Sequence, residues 1–279
     1  MEQYAGLERN PYPTYEHLKE GVKPLVTCVG TIEEFIDNPE IQLLYKTVLP
    51  LVGDNLDNVN YFGEVKELES HGFKTPSVDR SYAISPVDSK NKVSKGLVNC
   101  TGVVAIGLDS TTGETISFMS HENPRYFLDG NRAQVMDFIN DLCDTLEEIK
   151  ARSEKGTVDA SIVGGNYFSD IDGRGRKPVS FARRYVSSIK LLSSKIEKVL
   201  GFRPTVITGP KTFVDPRGDM VYLDNNNRRI YLVRPQIGEK VGDKIIGNNT
   251  TSSYDPKNID QEKEKWPNIS WKDVLPKKE

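Results

Sequence analysis

The feature of this sequence that most constrains its fold is a pair of apolar segments on either side of a short polar turn. Residues 101–108 and 114–120 are rich in Val, Ile, Thr and Phe, and residues 109–113 separate them. Two such segments joined by a short glycine-containing loop are typical of a β-hairpin. We therefore predict a hairpin within residues 93–121, at the centre of the chain.

The predicted hairpin brings Cys100 and His121 together, because residues equidistant from a turn face each other on adjacent strands, about 5 Å apart. A cysteine beside a histidine can act as a nucleophile with its base, since the imidazole favours the reactive thiolate. A free cysteine more often serves only in packing. The spacing alone therefore leaves both a catalytic and a structural interpretation open.

The length of the hairpin loop decides whether the two side chains share one face of the sheet. A two- or four-residue loop puts Cys100 and His121 on the same face, with Gly102 opposite the imidazole. A three-residue loop with a bulge at Gly113 puts them on opposite faces. The sequence leaves both arrangements open.

The string VSKGLVNC at 93–100, followed by a strand, a turn and a strand ending in His121, resembles a motif of the CheD family of chemoreceptor glutamine deamidases. That family carries its nucleophile in a V-T-x-G-L-G-(S/T)-C segment. Four residues match this motif in place: Val93, Gly96, Leu97 and Cys100. Segment 160–168 is similar to the family's strand and glycine pair, and the likeness extends roughly over residues 80–236. The catalytic domain of cytotoxic necrotising factor toxins shares the same Cys–His architecture.

The resemblance implies that the chain hydrolyses the side-chain amide of a glutamine. Cys100 would be the nucleophile, and His121 would act first as acid and then as base. Ser94, at the position of a family threonine, would orient the imidazole through its hydroxyl group. The implied partner is a protein that presents an exposed glutamine, and the reaction needs neither a metal nor an organic cofactor.

Backbone N–H groups around Asn99 and Cys100 are the implied donors for the oxyanion, with the Asn99 amide as an extra donor. A glycine pair after a strand allows close backbone approach or a positive φ. Gly164 and Gly165 are therefore expected beside the active-site loop, although a tight turn is their default interpretation without the resemblance.

Two other functions remain open. One is a different Cys–His hydrolase, such as a peptidase, an amidase or a transglutaminase. The other is a protein-binding module that has the same fold without catalytic activity.

The order of predicted elements indicates the α+β class, as a mixed, mostly antiparallel β-sandwich packed with two long helices. Apolar residues at helical spacing predict those helices over 132–155 and 178–200. We expect a partly helical N-terminal extension over 1–80 and a catalytic domain over 81–236. A polar tail over 237–279 completes this division.

Shorter elements are expected near the N-terminus. Residues 25–29 read as a short strand. Thr31 with Glu34 three residues later forms a capping box and predicts a helix around 32–36. A proline can occupy the first turn of a helix, so a second helix is expected over 39–52.

Composition excludes several classes of partner. A formal net charge of −3 gives no basic surface for nucleic acid or anionic membranes. The chain contains no apolar run of about 18 residues, so no membrane span is expected. Three cysteines, Cys28, Cys100 and Cys143, lack C-x-x-C spacing. This pattern argues against disulfides and a zinc site and favours a reducing compartment. A cytoplasmic location is therefore expected, with a secreted effector that lacks a signal peptide as the open alternative.

The polar C-terminal tail contains two tryptophans, Trp266 and Trp271. Large aromatic residues in a segment of otherwise low hydrophobicity indicate an anchor. The anchor would either fold back on the protein or dock onto a partner.

Overall fold

The computed structural model of the 279-residue chain describes residues 16–47, 56–59, 65–76, 82–97, 100–124, 128, 132–165, 178–208, 218–234, 239–241 and 244–246. Over these ranges the protein is of mixed α+β class, as predicted. The described residues form two mixed five-stranded sheets and a separate two-stranded sheet. No helix in the described ranges is long and apolar enough to cross a membrane.

Four helices lie within the described ranges: α1 (Pro39–Lys46), α2 (Val65–Ser70), α3 (Arg132–Arg152) and α4 (Pro178–Leu200). Apolar side chains three or four positions apart give α3 a buried stripe, which includes Phe138, Leu142, Leu146 and Ile149. Lys150 and Arg152 lie in its last turn, where positive charge is favourable.

The strands in chain order are β1 (Val26–Thr31), β2 (Leu56–Asn58), β3 (Tyr82–Ile84), β4 (Asn91–Leu97), β5 (Thr101–Leu108), β6 (Thr115–Glu122), β7 (Asp159–Gly164), β8 (Thr205–Thr208), β9 (Asp219–Asp224), β10 (Arg229–Arg234), β11 (Glu239–Val241) and β12 (Lys244–Ile246). Sheet I has the order β1-β10-β9-β4-β2, and sheet II has the order β3-β6-β5-β7-β8. Each sheet contains both parallel and antiparallel pairs.

Sheet II is covered on both faces, which explains why its central strand β5 is almost continuously apolar. One face packs against α3 and α4. The other face packs against sheet I, and the cluster between the sheets includes Val104, Met119 and Val163 from sheet II and Val221 and Leu232 from sheet I. We call the space between the two sheets the sandwich interior.

Two strands among the first 80 residues, β1 and β2, take part in sheet I. Strand β1 pairs in parallel with β10, and β2 pairs in parallel with β4. The segment before β1 is bound to β7 and to the turn that precedes it. The Leu25 N–H donates to Asp159 Oδ2 at 2.8 Å, and the Lys19 N–H donates to the Gly156 carbonyl at 2.7 Å. The domain boundary predicted at residue 80 stays a prediction. The strands on its N-terminal side belong to the same sheet as strands on its C-terminal side.

The predicted helix at 32–36 is wrong, although its capping box exists. The Thr31 N–H donates to Glu34 Oε2 at 2.7 Å, and the Glu34 N–H donates to Thr31 Oγ1 at 3.4 Å. Residues 32–37 nevertheless form turns. A proline disfavours helical backbone at the residue before it, and Asn38 is extended, with φ −105° and ψ 95°. The helix therefore begins only at Pro39.

The C-terminal tail is described only at β11 and β12, which pair with each other. Trp266 and Trp271 lie outside the described residues. The predicted anchoring role of the tail therefore stays a prediction.

Candidate functional site

The hairpin of β5 and β6 has a four-residue loop. The Asp109 N–H donates to the Glu114 carbonyl at 2.8 Å and closes the loop over residues 110–113. Thr101 then pairs with Glu122, and Val104 pairs with Met119. The same register places His121 opposite Gly102.

Cys100 and His121 share the face of sheet II that lines the sandwich interior. His121 and Gly102 are directly opposed and so point to the same side. Cys100 lies two residues before Gly102 and packs against the interior cluster that contains Val104 and Met119. Cys100 is therefore a diagonal rather than a direct neighbour of His121. The Cα atoms of diagonal neighbours on adjacent antiparallel strands are about 7 to 8 Å apart.

Gly102 is required by the close approach of the two strands beside the imidazole. A Cβ atom at this position would lie 2.6 Å from the Ser120 carbonyl oxygen, which belongs to the backbone of β6 and cannot move aside.

Ser94 on β4 is hydrogen-bonded to His121 across the sandwich interior. The distance between Ser94 Oγ and His121 Nδ1 is 2.7 Å, and both side chains are buried. If Nδ1 carries the proton and donates it to Ser94, Nε2 is left free to accept a proton. The bond thus provides the contact that the resemblance implied for Ser94, whose role in catalysis stays a proposal.

Burial keeps both members of the Cys–His pair neutral near pH 7. It lowers the pKa of His121 to about 4. It also raises the pKa of Cys100 to about 12, and the charge of Glu122 adds to this rise. No hydrogen bond between Cys100 Sγ and the imidazole is found in the described part of the chain. The pair at rest is a thiol and an uncharged ring rather than a thiolate and an imidazolium.

The glycine pair after β7 lies against the backbone of Cys100. The Gly165 N–H donates to the Cys100 carbonyl at 2.8 Å. Gly164 and Gly165 have φ of 78° and 79°, which other residues rarely adopt. A Cβ atom on Gly164 would lie 2.7 Å from Leu97 Cδ2 and 3.0 Å from the Cys100 carbonyl oxygen. The pair therefore packs closely against the backbone of Cys100, and its role in a catalytic site stays a prediction.

The oxyanion donors are only partly described. Asn99 lies outside the described residues, so the proposed contribution of its amide stays a prediction.

Cys28 and Cys143 lie on β1 and α3, and all three cysteines are free. Among the described residues, no group of three or more His, Cys, Asp or Glu side chains is arranged to hold a metal ion.

The sequence analysis did not identify Glu122, which follows His121 directly. Its side chain is fully buried on the opposite face of sheet II. Burial raises the pKa of Glu122 to about 8. The signal available in the sequence was a glutamate at the end of an apolar strand, where a charged side chain is costly unless it is neutralised.

No protein-family model matches this chain, and no curated protein matches it. The resemblance to the CheD family stays a hypothesis that depends on the residues quoted above. The contacts of Cys100, His121 and Ser94 are consequently the basis for a functional assignment.

Proposed function

We propose that the protein is a cysteine-dependent deamidase that hydrolyses the side-chain amide of a glutamine exposed on a partner protein. The observation that carries this proposal is the buried 2.7 Å hydrogen bond between Ser94 and His121, on the same interior face as Cys100. A nucleophile, a nearby base and a third group that orients the base form the arrangement needed for covalent catalysis. The CheD-like motif at 93–100 supports the same assignment and a fold of that family.

In the proposed reaction, Cys100 attacks the amide carbon while its proton moves to His121 Nε2. The resulting C–S bond produces a tetrahedral oxyanion, which backbone N–H groups stabilise. When the C–N bond breaks, His121 returns the proton to the nitrogen and ammonia leaves. Water then attacks the thioester with His121 as base, the C–S bond breaks, and the sulfur recovers its proton. The product is a glutamate on the partner protein.

The pKa values of the resting pair determine how the first proton moves. Burial disfavours both the Cys100 thiolate and the His121 imidazolium, so a fully formed ion pair before attack is costly. We therefore propose that proton transfer is concerted with formation of the C–S bond.

A protein-binding module without catalytic activity is the second candidate function. It is favoured by the raised pKa of Cys100 and by the absence of a hydrogen bond from its thiol to His121 in the described residues. In that case the Ser94–His121 bond would serve only to join the two sheets.

Ammonia release and mass spectrometry separate these candidates. The purified chain is incubated with a cell lysate and with glutamine-containing proteins, and released ammonia is measured. Peptide mass spectrometry then looks for glutamine converted to glutamate at specific sites. We expect both signals. Absence of both would favour the binding module, and cleavage of the backbone would indicate a peptidase instead.

Ser94→Ala is expected to lower the turnover number by about 10- to 100-fold, because a buried ring nitrogen loses its partner at a cost of about 1 to 3 kcal/mol. Ser94→Thr keeps a hydroxyl group and should restore most of the activity. Ser117→Ala is the matched control, since Ser117 is equally buried on β6 and its hydroxyl group has no hydrogen-bond partner among the residues that the structure describes. Equal turnover for Ser94→Ala and Ser117→Ala would contradict an orienting role.

A further inference from the structure

A buried polar cluster lies directly behind the candidate site and consists of Thr101, Ser120 and Glu122. Ser120 Oγ donates to Glu122 Oε2 at 2.6 Å, and Thr101 Oγ1 donates to Glu122 Oε1 at 3.2 Å. The Val103 N–H donates to Ser120 Oγ at 2.7 Å. These bonds connect the side chains of β6 to the beginning of β5, where the candidate nucleophile is located.

Residues of the polar cluster alternate with Cys100 and His121 along the start of β5 and the end of β6. Thr101 directly follows Cys100, and Ser120 and Glu122 flank His121. Successive side chains of a strand point to opposite faces, so the cluster lies on the helix-covered face of sheet II. Displacing either strand end would therefore break the cluster and separate Cys100 from His121 in one movement.

Glu122 is fully buried, and no cation pairs with it among the described residues. Desolvation raises the pKa of this carboxyl to about 8, so it is mainly a neutral acid at pH 7. Its two hydroxyl partners donate to the carboxyl oxygens and so lower this pKa, but the opposite effect of burial is larger.

The ionisable groups of its described neighbours are few. Cys100 lies next to β5 and His121 is on β6, while Tyr82 on β3 pairs with Glu122. Asp141 on α3 accepts a hydrogen bond from the Tyr82 hydroxyl group at 2.7 Å. Of these four groups, Cys100 is the one whose pKa the charge of Glu122 raises. A negative charge at Glu122 opposes the formation of a second negative charge on the sulfur.

We propose that Glu122 is a positioning residue that holds the ends of β5 and β6 together as a neutral acid and keeps the Cys100 thiol protonated when it ionises. This inference rests on the proposed function, because it adds a regulation of the same site. It implies that the reactivity of Cys100 rises less steeply with pH in mildly alkaline solution than that of a thiol with a single high pKa.

The alkylation rate of Cys100 tests this proposal without requiring catalytic turnover. The full chain is treated with iodoacetamide from about pH 6 to about pH 10, and the rate at each cysteine is resolved by peptide mass spectrometry. A thiol with a single high pKa reacts faster in direct proportion to hydroxide concentration. In the wild type we expect this rise to flatten near pH 8, where Glu122 ionises. In Glu122→Gln the flattening should disappear, and Cys100 should react on the order of tenfold faster above that pH.

Two variants separate the charge of Glu122 from its hydrogen bonds. Glu114→Gln removes an exposed carboxylate at the other end of the same hairpin and should leave the wild-type profile unchanged. Thr101→Val removes one hydrogen bond but no charge, so the flattening should persist while the protein becomes easier to unfold in urea.

Identical Cys100 profiles for Glu122→Gln and Glu114→Gln would overturn the proposal. If Glu122→Gln fails to fold, the wild-type profile is a sufficient test. A rise in the Cys100 alkylation rate without flattening near pH 8 is incompatible with control by Glu122. Absence of ammonia release would disprove the deamidase assignment and leave this alkylation result intact, so the two failures are distinguishable.

Discussion

Cys100→Ser is expected to abolish ammonia release, with a loss of at least about 10³-fold in turnover. The substitution keeps a small polar side chain but replaces the thiol with a far less acidic hydroxyl group. With a pKa of about 4, His121 is too weak a base to activate that hydroxyl group. The assay compares initial rates of ammonia release on a substrate identified with the wild type.

The fold should tolerate this change, because Cys100 is partly exposed and lies at the edge of the interior cluster. A loss of about 1 kcal/mol in the free energy of unfolding is expected. Cys143→Ser on α3 is the matched control, since Cys143 is also free and partly exposed. It should retain full activity. Substantial activity in Cys100→Ser would end the assignment of Cys100 as the nucleophile.

The hairpin was predictable because its signals are local. The strand predicted over 101–108 is observed as Thr101–Leu108, and the strand predicted over 114–120 is observed as Thr115–Glu122. Runs of apolar and β-branched residues and a glycine-containing turn are properties of neighbouring residues. The loop length was not predictable, because the polar residues 109–113 are compatible with more than one closing hydrogen bond.

Contacts between distant segments could not be derived from local patterns. The Ser94–His121 bond crosses between two sheets, and only the resemblance to a known motif pointed to it. Strand β1 pairs with residues about 200 positions later in the chain, so the pattern at 25–29 indicated a strand without its neighbour. The Thr31–Glu34 capping box led to a wrong helix prediction for a related reason. Its two hydrogen bonds form, but the helix begins only at Pro39.

The neutral state of the Cys–His pair is likewise a consequence of tertiary burial. The catalytic interpretation of the Cys100–His121 spacing assumed a thiolate favoured by its neighbour, whereas enclosure between two sheets disfavours both charged forms. His121 is therefore suited to accept a proton only as the C–S bond forms. Its protonation in the absence of substrate should instead destabilise the protein, and this can be measured.

His121→Gln is expected to lower ammonia release by about 10³-fold, because the amide can keep a hydrogen bond to Ser94 but cannot transfer protons as imidazole does. His71→Gln is the matched control, since His71 is exposed. It should leave activity unchanged. A turnover for His121→Gln within a few-fold of the His71→Gln value would contradict the role of His121 as acid and base.

The same variant tests the burial of the ring through the pH dependence of stability. The folded pKa of His121 is about 4, below its ordinary value of 6.5, so the unfolded chain binds the proton more readily. This contribution to stability is complete above about pH 6.5 and is lost as the pH falls through about 4. Urea unfolding at several pH values should show that acid reduces the stability of the wild type more than that of His121→Gln. Glu122 has the opposite dependence, and its contribution cancels because both proteins contain it. A constant difference in unfolding free energy over this range would show that the imidazole is not held neutral by burial.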